Sequence, residues 1–400
     1  MIEQRRVTMK KVLILNGSFC EVPIIKKAKE LGYYVVTTGN MPNLVGHQYA
    51  DEYIPADYSD KEAILKICQE NDIWRIISCA NDFGVLTSAY VAEKMGWPGH
   101  DTYENAMIMH HKDLFKKYCI EKDIPSPRSL SFTKKEEALN YAKECEYPII
   151  VKANDLTGGK GILRADNVEE AVEAIENAYN KSRDKMIIVE PYIIGKQQSF
   201  TAFVIDRKVK VYTSNNCLSI VNPYLIQAET LPAEGIDQIK GQLISIIESI
   251  VEDLDLKDGI LCLQYIVRDG QPYIIEMMRR CFGNQFLTLS EMFTGFPWHE
   301  AYIRNALGES ISDIPIGEPE LKYCGHFGVF APRNGKVVSY KIPEDVESHV
   351  FKRIEMVQPG GTIDDYMNQR IVYLYYKYDN YEEMLSAIAT LQDRIEIEME

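Results

Sequence analysis

Short apolar segments alternate with helical stretches over the first hundred residues, and this alternation constrains the fold more than any other feature of the sequence. The segments VLILNG, YVVTTG and WRIISCAND are predicted strands, and the stretches near 22–31 and 60–70 are predicted helices. A third helix is predicted over 83–95, before a turn that contains glycine and proline. Strands and helices in this order form βαβ units, whose parallel strands are buried on both faces. Residues 1–100 are therefore predicted to form an α/β domain.

The first strand-to-helix turn of this domain lacks the pattern of a dinucleotide site. Such a site needs GxGxxG, in which glycines admit a pyrophosphate to the helix N-terminus. The sequence is NGSFCE over residues 16–21, with one glycine and with Glu21, which would repel a phosphate. A nicotinamide cofactor is therefore not predicted, although residues 16–19 remain candidates for contact with a substrate.

The composition restricts the partners of the chain. The 400 residues carry a formal net charge of −15, so nucleic acid and anionic membrane surfaces are not predicted partners. No segment approaches the roughly 20 apolar residues of a membrane-spanning helix. The nine cysteines are an odd number without a CxxC pair, which is usual in a reducing compartment. We expect a cytoplasmic protein of several domains that binds small molecules.

The remaining sequence is predicted to fold as mixed α+β units. Residues 103–123 form a predicted helix that carries Lys112 and ends before a proline-containing turn. A small unit follows, with strands SLSFT, PIIVKA and MIIVEPYI and helices over 134–145 and 168–179. A longer unit contains helices over 236–254 and 296–307 and the strands ILCLQYIVR and PYIIEMM around an Asp-Gly turn. From residue 322, alternating segments predict further strands, and a last helix is predicted over 381–394.

A glycine-rich turn follows one of these strands, in PIIVKANDLTGGKGI over residues 148–162. Glycines in such a turn let backbone N–H groups surround phosphate oxygens. The turn is not a Walker A loop, because Lys160 is followed by Gly161 rather than by Ser or Thr. The HRD and DFG triplets of a protein kinase do not occur either. Taken alone, the turn is explained equally well as a surface loop.

Together with three other segments, this turn resembles the ATP-grasp superfamily of ATP-dependent ligases, which includes biotin carboxylase, the carbamoyl-phosphate synthetase large subunit and purine-pathway ligases. The other segments are HHKDLFKK, IIVEPYIIGKQQSF and LQYIVRDGQPYIIEMMRR. The resemblance implies an α/β and α+β architecture, an ATP-grasp fold preceded by a Rossmann-like domain. The implied parts are the Rossmann-like pre-ATP-grasp domain over 1–100, a helical connector over 101–127, a lid subdomain over 128–203, a central subdomain with the metal site over 204–310, and a C-terminal β-rich extension packed on it over 311–400.

The resemblance also implies the cofactors, ATP and Mg²⁺ or Mn²⁺, and the residues that bind them. The implied ATP-binding residues are Lys112, Lys152, Thr157, Gly158, Gly159, Glu190, Pro191, Tyr192, Ile193 and Gln197. Lys160 and Arg280 are the implied catalytic residues, and Glu276 and Gln264 are the implied metal ligands. A tight turn at residues 269–270 can place these two ligands on one face of a sheet.

Three positions depart from the family pattern. Gln197 occupies the ribose position where glutamate is usual, and weaker binding is expected from its amide. The first metal position holds Gln264, and the third holds Met278 where Asn is common; a thioether is a poor ligand for Mg²⁺. Either one ion is bound mainly by Glu276 and phosphates, or Asn284 reaches back to the site.

The implied activity is that of an ATP-dependent carboxylate–amine ligase, which converts a small carboxylate into an acylphosphate and transfers it to an amine or similar nucleophile. Lys112, Lys152 and Lys160 would neutralise the triphosphate. Glu190 would lie near the exocyclic amine of adenine, and Arg280 would stabilise the transferring phosphoryl group. Two alternatives remain open: a catalytically degenerate ATP-binding or regulatory protein, and an ATP-grasp enzyme of the bicarbonate or purine-pathway type.

The substrate side of the site is the least defined by the sequence. Candidate substrate contacts are Asn81, Arg279, Gly283 and Arg333. Residues 214–232 form a long connection of the kind that binds ligands, and they include Glu229; Glu229 and Asp82 are the candidate partners of an amine. His326, in an alternating strand, is either a substrate contact or a packed residue. A metal-binding pair at His110 and His111 is the alternative to solvated or packed side chains, which we expect because adjacent side chains on a helix point in different directions. The resemblance also favours a homodimer.

Overall fold

The structure, a computed structural model, describes residues 9–78, 80–156 and 158–400. Its first unit consists of β1 (Lys11–Leu15), α1 (Val22–Glu30), β2 (Tyr34–Gly39), a 3₁₀ helix (Val45–Tyr49), β3 (Glu52–Pro55), α2 (Lys61–Glu70), β4 (Ile73–Ile77) and α3 (Asp82–Met95). The four strands form a parallel sheet in the order β3-β2-β1-β4. The predicted alternation of strands and helices is therefore present, with β3 as an additional short strand.

Glu21 occupies the first turn of this unit. Its buried carboxylate accepts hydrogen bonds from the backbone N–H groups of Ser18 at 2.8 Å and of Ala80 at 3.0 Å. Burial raises the pKa of this carboxyl, and the N–H groups act in the opposite direction. An acidic side chain therefore already occupies the turn before α1, which agrees with the missing dinucleotide pattern.

The connector contains two helices, α4 (Tyr103–His110) and α5 (Lys112–Glu121), and not the single helix predicted over 103–123. His111 separates them, with an extended backbone at φ −101° and ψ 121°. No glycine or proline lies at this point, so the sequence carries no local signal for the break. As a result, Lys112 lies in the first turn of a helix instead of in the middle of one.

The next unit contains β5 (Leu130–Phe132), α6 (Lys135–Ala142), β6 (Ile149–Ala153), β7 (Ile162–Ala165), α7 (Val168–Lys181) and β8 (Ile187–Pro191). Its strands form an antiparallel sheet in the order β5-β8-β6-β7, which we call the lid sheet. The Asn167 side chain caps α7 by accepting from the Glu170 N–H. Residues 171, 174, 175 and 178 of α7 are buried, and this helical spacing places them on one face against the sheet.

The rest of the chain contains β9 (Lys196–Ile205), β10 (Lys208–Leu218), β11 (Ala228–Leu231), α8 (Ile236–Asp253), β12 (Gly259–Arg268), β13 (Gln271–Met278), α9 (Phe286–Thr294), α10 (Trp298–Ala306), β14 (Tyr323–Phe330), β15 (Gly335–Lys341), α11 (Glu344–Glu347), β16 (Val350–Glu355), β17 (Thr362–Ile363), β18 (Arg370–Tyr378), α12 (Tyr381–Ala389), α13 (Leu391–Arg394) and β19 (Glu396–Met399). Eight strands form one antiparallel sheet, the large sheet, in the order β13-β12-β9-β10-β11-β14-β18-β16. A small sheet has the order β17-β15-β19.

The large sheet crosses two of the predicted boundaries. The boundary at residue 203 falls inside β9, and strands from beyond residue 311 continue the sheet through the pairing of β11 with β14. The C-terminal residues thus extend the large sheet as well as packing beside it. None of the described helices combines the length and the apolar character that crossing a lipid bilayer requires.

Candidate active site

A cavity of ≈ 300 Å³ lies between the lid sheet, the large sheet and the start of α5. This volume is at the lower end of the range for small-molecule sites. The functional candidates that line it are Lys112, Lys152, Gly158, Gly159, Glu190, Pro191, Tyr192, Ile193, Gln197, Gln264, Glu276, Met278 and Arg280, and it is also lined by Asp82 and Lys116. Most of the predicted nucleotide and metal residues are therefore brought together. Thr157 lies outside the described residues.

Lys112 joins the connector to the glycine turn. Its Nζ donates hydrogen bonds to the carbonyl oxygens of Leu156 at 2.6 Å and Asn154 at 3.3 Å. Because α5 begins at Lys112, the N-terminal N–H groups of this helix add partial positive charge beside the ammonium. One of them, at Asp113, donates to the Asn154 side chain at 3.2 Å. The start of α5 is therefore a positive region at the edge of the cavity.

Glu190 holds two lysines in the buried part of the cavity. Its carboxylate forms ion pairs with Lys152 and, at 3.3 Å, with Lys116, and it accepts a hydrogen bond of 2.6 Å from Ser129. Burial raises the pKa of the Glu190 carboxyl, but the two ammonium groups outweigh this effect and lower the pKa to about 2. The lysines thus already pair with this carboxylate, which lines the cavity, and its contact with the exocyclic amine of adenine stays a prediction.

Lys116 was not predicted, although it follows Lys112 by four residues. This spacing places both lysines on one face of α5. The Lys116 ammonium is buried, donates to Ser126 Oγ at 2.9 Å, and has a pKa that burial lowers and Glu190 raises. The helical period of HHKDLFKK was the available signal for this residue.

The glycine turn packs closely against the loop over 223–226. A Cβ added to Gly159, whose φ is +77°, would lie 2.6 Å from the carbonyl oxygen of Tyr224. Only glycine fits this position without a shift of the backbone. After the turn, the Arg164 N–H donates to the Tyr224 hydroxyl at 2.8 Å. Lys160 is exposed and does not line the cavity, so the structure does not bring it together with the other lysines.

Apolar side chains line the cavity beside Glu190. Ile188 precedes Glu190 by two residues on β8, and Ile150 of β6 is paired with Glu190, so these side chains share a face. Ile193 and Ile266 complete this part of the wall. Gln197, paired with Ile266, adds a polar group at the start of β9. The arrangement offers an apolar slot with one polar edge, which suits a flat heteroaromatic ring joined to a sugar.

Gln264 and Glu276 lie opposite each other on β12 and β13. Ile275 of β13 has no partner in β12, so it forms a β-bulge next to the Gln264–Glu276 pair. Within the described residues, the Glu276 carboxylate has no hydrogen bond or ion pair. Met278 lies two residues further along the same face and lines the cavity. One carboxylate and one amide oxygen are therefore available to a hard cation.

These oxygens fit a divalent ion only if other ligands complete its shell. In the part of the chain that the structure describes, no three His, Cys, Asp or Glu side chains are grouped so that they could hold a metal. Asn284 donates to Glu229 Oε2 at 2.9 Å, so the expectation that it reaches the Glu276 site is corrected. A cation at Glu276 would share its ligands with a bound phosphate, which is how Mg²⁺ is commonly held.

Arg280 is fixed by a carboxylate from the first domain. Its Nε and Nη2 donate to the two oxygens of Asp82 at 2.7 and 3.3 Å. Asp82 also lies 2.9 Å from His110 Nδ1, and the His110 ring is buried, so this side chain is packed and not solvated. Burial opposes the charge on Asp82, but Arg280 and His110 hold the pKa of this carboxyl far below its usual range. The guanidinium therefore has a defined orientation.

The four candidate substrate contacts have different positions. Arg279 pairs with Asp101 at 2.8 Å in a separate, buried contact, since alternate residues of a strand point to opposite faces. Arg333 donates to the carbonyl oxygens of residues 399 and 400 at the exposed end of the chain. The expectations for these two arginines are corrected. Asn81 caps α3 next to Asp82, and Gly283 is exposed, with its carbonyl accepting from Cys20 Sγ at 2.9 Å.

Comparison with curated proteins gives relatives that are longer than this chain. The carbamoyl phosphate synthase large chain of Clostridium botulinum (strain Alaska E43 / Type E3) is 22% identical over 324 residues, which are 77% of this chain and 29% of the relative. The chain thus spans less than a third of the length of this relative.

Two solved structures match nearly the whole chain. The L-amino acid ligase of Bacillus licheniformis has a TM-score of 0.80 at 18% identity, with 98% of this chain and 99% of that chain covered. The biotin carboxylase domain of 2-oxoglutarate carboxylase from Hydrogenobacter thermophilus, a dimer in complex with MgADP, ADP and bicarbonate, has a TM-score of 0.76 at 22% identity, with 98% and 91% covered.

A family model provides the family assignment. The model described as "Carbamoyl-phosphate synthase L chain, ATP binding domain" matches residues 111–314, which run from the start of α5 past the end of α10. The match therefore includes the lid sheet, both strands of the Gln264–Glu276 pair and Arg280. The fold of the solved structures agrees with it. The chain belongs to the ATP-grasp family, represented by the ATP binding domain of the carbamoyl-phosphate synthase L chain.

Proposed function

We propose that this protein is an ATP- and Mg²⁺-dependent ligase that activates a small carboxylate as an acylphosphate and joins it to an amine. The observation that carries the proposal is the single cavity that Lys112, Lys152, Glu276 and Arg280 line together. Family membership and the similarity to a biotin carboxylase domain solved with MgADP support the choice of cofactors.

The cavity divides into parts that match the parts of ATP. The adenine ring would lie among the isoleucines, with Gln197 near the ribose and with main-chain groups of 190–193 along the base. The triphosphate would extend toward Lys112, Lys152 and the glycine turn, whose N–H groups and positive charges suit phosphate oxygens. We propose that the lid sheet moves with the turn and closes over the phosphates, which would also bring Lys160 toward the cavity.

Glu276 and Gln264 would hold Mg²⁺ together with phosphate oxygens. The ion, when bound, neutralises charge on the phosphates. Arg280 would stabilise the negative charge of the transferred phosphoryl group, because Asp82 holds its guanidinium in place. In the reaction, a carboxylate oxygen attacks the γ-phosphorus and ADP leaves. The amine then attacks the acyl carbon, a C–N bond forms, and phosphate leaves with the electrons of the C–O bond.

A binding protein without turnover is the second candidate. Met278 removes one oxygen ligand from the metal site, and Gln197 weakens the ribose contact. Such a protein would bind ATP but would not release ADP in response to substrates. An enzyme of the bicarbonate or purine-pathway type would instead release ADP with bicarbonate or with a phosphorylated ribose amine.

The experiment is the measurement of ADP and phosphate release by the whole chain with ATP, Mg²⁺ and a panel of amino acids, other small carboxylates and bicarbonate. A ligase releases both products only when substrates are present. Glu276→Ala should abolish this release without unfolding the protein, because the side chain makes no hydrogen bond among the described residues. Glu318→Ala, at an exposed loop position, is the matched control and should keep full activity. ATP binding without any substrate-dependent release would favour the second candidate.

A further inference from the structure

Polar side chains continue from the metal position across the same face of the large sheet. Residues that are paired between strands, and residues two apart on a strand, share a face. Gln264 is paired with Ser199, Ser199 with Asn215, Cys217 with Glu229, and Glu229 with His326. These residues form one row, which we call the polar row, from β12 through β9, β10 and β11 to β14.

Hydrogen bonds connect the members of the polar row. Ser199 Oγ donates to Asn215 Oδ1 at 2.8 Å, and Asn215 Nδ2 donates to Glu229 Oε1. Glu229 Oε2 lies 2.6 Å from His326 Nε2. Glu229 is buried, and in the described part of the chain it forms no ion pair with a lysine or an arginine. Its ionisable partners there are an imidazole and the Cys217 thiol, and neither is a permanent cation, which is unusual for a buried carboxylate.

His326 has a buried nitrogen without a partner. When Nε2 donates its hydrogen to Glu229, Nδ1 keeps a lone pair, and no hydrogen-bond partner of Nδ1 exists among the described residues. The Asn284 side chain does not donate a hydrogen bond to His326 Nδ1. Its Oδ1 accepts from the Phe286 N–H at 3.2 Å, which directs Nδ2 to Glu229 Oε2 and to the Nε2 side of the imidazole. An unpaired buried acceptor is costly, so it marks a place where a donor of a ligand would be accepted.

Charged groups of the polar row and of the phosphate side of the cavity both affect the pKa of one buried thiol, that of Cys262. The pKa of Cys262 is raised to about 12, mainly by burial; Glu229 and Glu276 act in the same direction, and Arg280 acts in the opposite one. These charged groups therefore flank the same part of the sheet. Glu229 lies three strands from Gln264, a separation of about 14 Å at about 4.8 Å per strand. This is close enough for a small substrate to lie between the two ends, and too far for both to bind the same phosphate.

We propose that Glu229 binds the ammonium group of an amine-bearing substrate, such as an amino acid, and that His326 holds the Glu229 carboxylate in position. An ammonium group supplies the positive charge that the buried carboxylate otherwise lacks. His326 Nδ1 points away from Glu229, because Nε2 faces the carboxylate, so Nδ1 would accept from a different donor of the substrate. A carboxylate or a phosphate would be repelled at this end, so the row distinguishes the amine end of a substrate from the end that Arg280 attracts. The inference rests on the proposed ligase function, of which it names the substrate class.

Residues from the first domain border this end of the sheet. The Phe19 ring lies 5.6 Å from the Tyr373 ring, which lies 5.8 Å from the His326 ring. The neighbouring Cys20 donates to the carbonyl of Gly283, an exposed residue between Arg280 and Asn284. The ammonium group would therefore be held beside aromatic rings, which suits a substrate whose remaining part is apolar.

The test compares L-amino acids with the 2-hydroxy acids of the same side chains, in which a hydroxyl replaces the ammonium group. We expect the whole chain, with ATP and Mg²⁺, to release ADP with at least one of the twenty amino acids and not with its hydroxy analogue. Glu229→Gln, which keeps the shape and removes the charge, should raise the KM for that amino acid by about 10- to 100-fold. The ATP dissociation constant should not change. His326→Gln should raise the same KM, which provides a second variant if Glu229→Gln does not fold.

The outcomes separate this inference from the proposed function. ADP release that responds equally to amino and hydroxy acids, or a KM that neither variant changes, overturns the role of Glu229 and His326 and leaves the ligase function in place. A protein that binds ATP but neither binds nor uses any amino acid also overturns the inference. Failure to bind ATP at millimolar concentration would overturn the proposed function itself.

Discussion

Replacement of Glu190 by glutamine removes the anion that holds two buried lysines. The amide keeps the shape of the side chain but leaves the ammonium groups of Lys116 and Lys152 without a counter-charge. The pKa of the Glu190 carboxyl is lowered from 4.5 to about 2, and a difference of this size corresponds to roughly 3 kcal/mol. Removal of one partner from a buried ion pair costs about 3–5 kcal/mol. We therefore expect Glu190→Gln to lower the free energy of unfolding by about 3 kcal/mol at pH 7.

The pH dependence provides a second signature. Because the pKa is lowered on folding, the contribution of Glu190 is complete above its ordinary pKa of 4.5 and is lost as the pH falls toward 2. The difference between wild type and Glu190→Gln should be constant around neutral pH and should shrink below about pH 4.5. Urea unfolding followed by circular dichroism measures the free energies, and hydrogen exchange in β6 and β8 locates the loss.

A matched variant distinguishes charge from packing. Lys116→Met should lower the free energy of unfolding by less than Glu190→Gln does. Burial disfavours the charged form of Lys116, as its lowered pKa indicates, so the variant removes an unfavourable buried charge. Lys152 still pairs with Glu190 in this variant. A loss below about 1 kcal/mol for Glu190→Gln at pH 7, or an equal loss at pH 3 and pH 7, would contradict the assignment of Glu190 as the counter-ion of two lysines.

Two further predictions concern the turn and the arginines. Gly159→Ala should weaken ATP binding by about tenfold, because the added Cβ would lie 2.6 Å from a carbonyl oxygen. Gly158 also has a positive φ, but a Cβ there meets no atom, so Gly158→Ala should weaken ATP binding less. Equilibrium titration with ATP measures both effects. Arg279→Met should lower the free energy of unfolding by about 3–5 kcal/mol, because a buried aspartate loses its partner. Arg333→Met should change it by about 0.5 kcal/mol or less, and equal effects in urea unfolding would contradict the structural role of Arg279.

Short motifs were sufficient to predict many of the residues that line the cavity, because together they resemble a known family. The apolar strand before the glycine turn carries Lys152, which the resemblance implied as a nucleotide residue and which lines the cavity. Two strands around Asp269-Gly270 predicted that Gln264 and Glu276 share a face. Both turn residues have positive φ, as a two-residue type I′ hairpin turn requires, and the two side chains are paired. Short-range pairing of this kind is encoded by neighbouring residues.

Contacts between distant segments were not accessible in this way. Asp82 and Arg280 are 198 residues apart, and neither sequence context indicates the other. Strand β11 has four residues inside a segment rich in turn formers, so it was interpreted as part of a loop. Its Glu229 became a buried member of a sheet face only through pairing with β10 and β14. Such positions depend on the tertiary fold, which periodicity in one segment does not determine.

The pairing of Arg280 with Asp82 has a consequence for dissection of the chain. Residues 111–314, the span of the family match, include Arg280 but exclude Asp82 and His110. A fragment cut to that span would retain the guanidinium and lose the anchor that aims it. Its side chain would then sample several rotamers, and each productive encounter would carry an entropic penalty that the intact chain avoids. Asp82, a residue of the first hundred, thus fixes the orientation of a cation that a distant segment of the chain supplies.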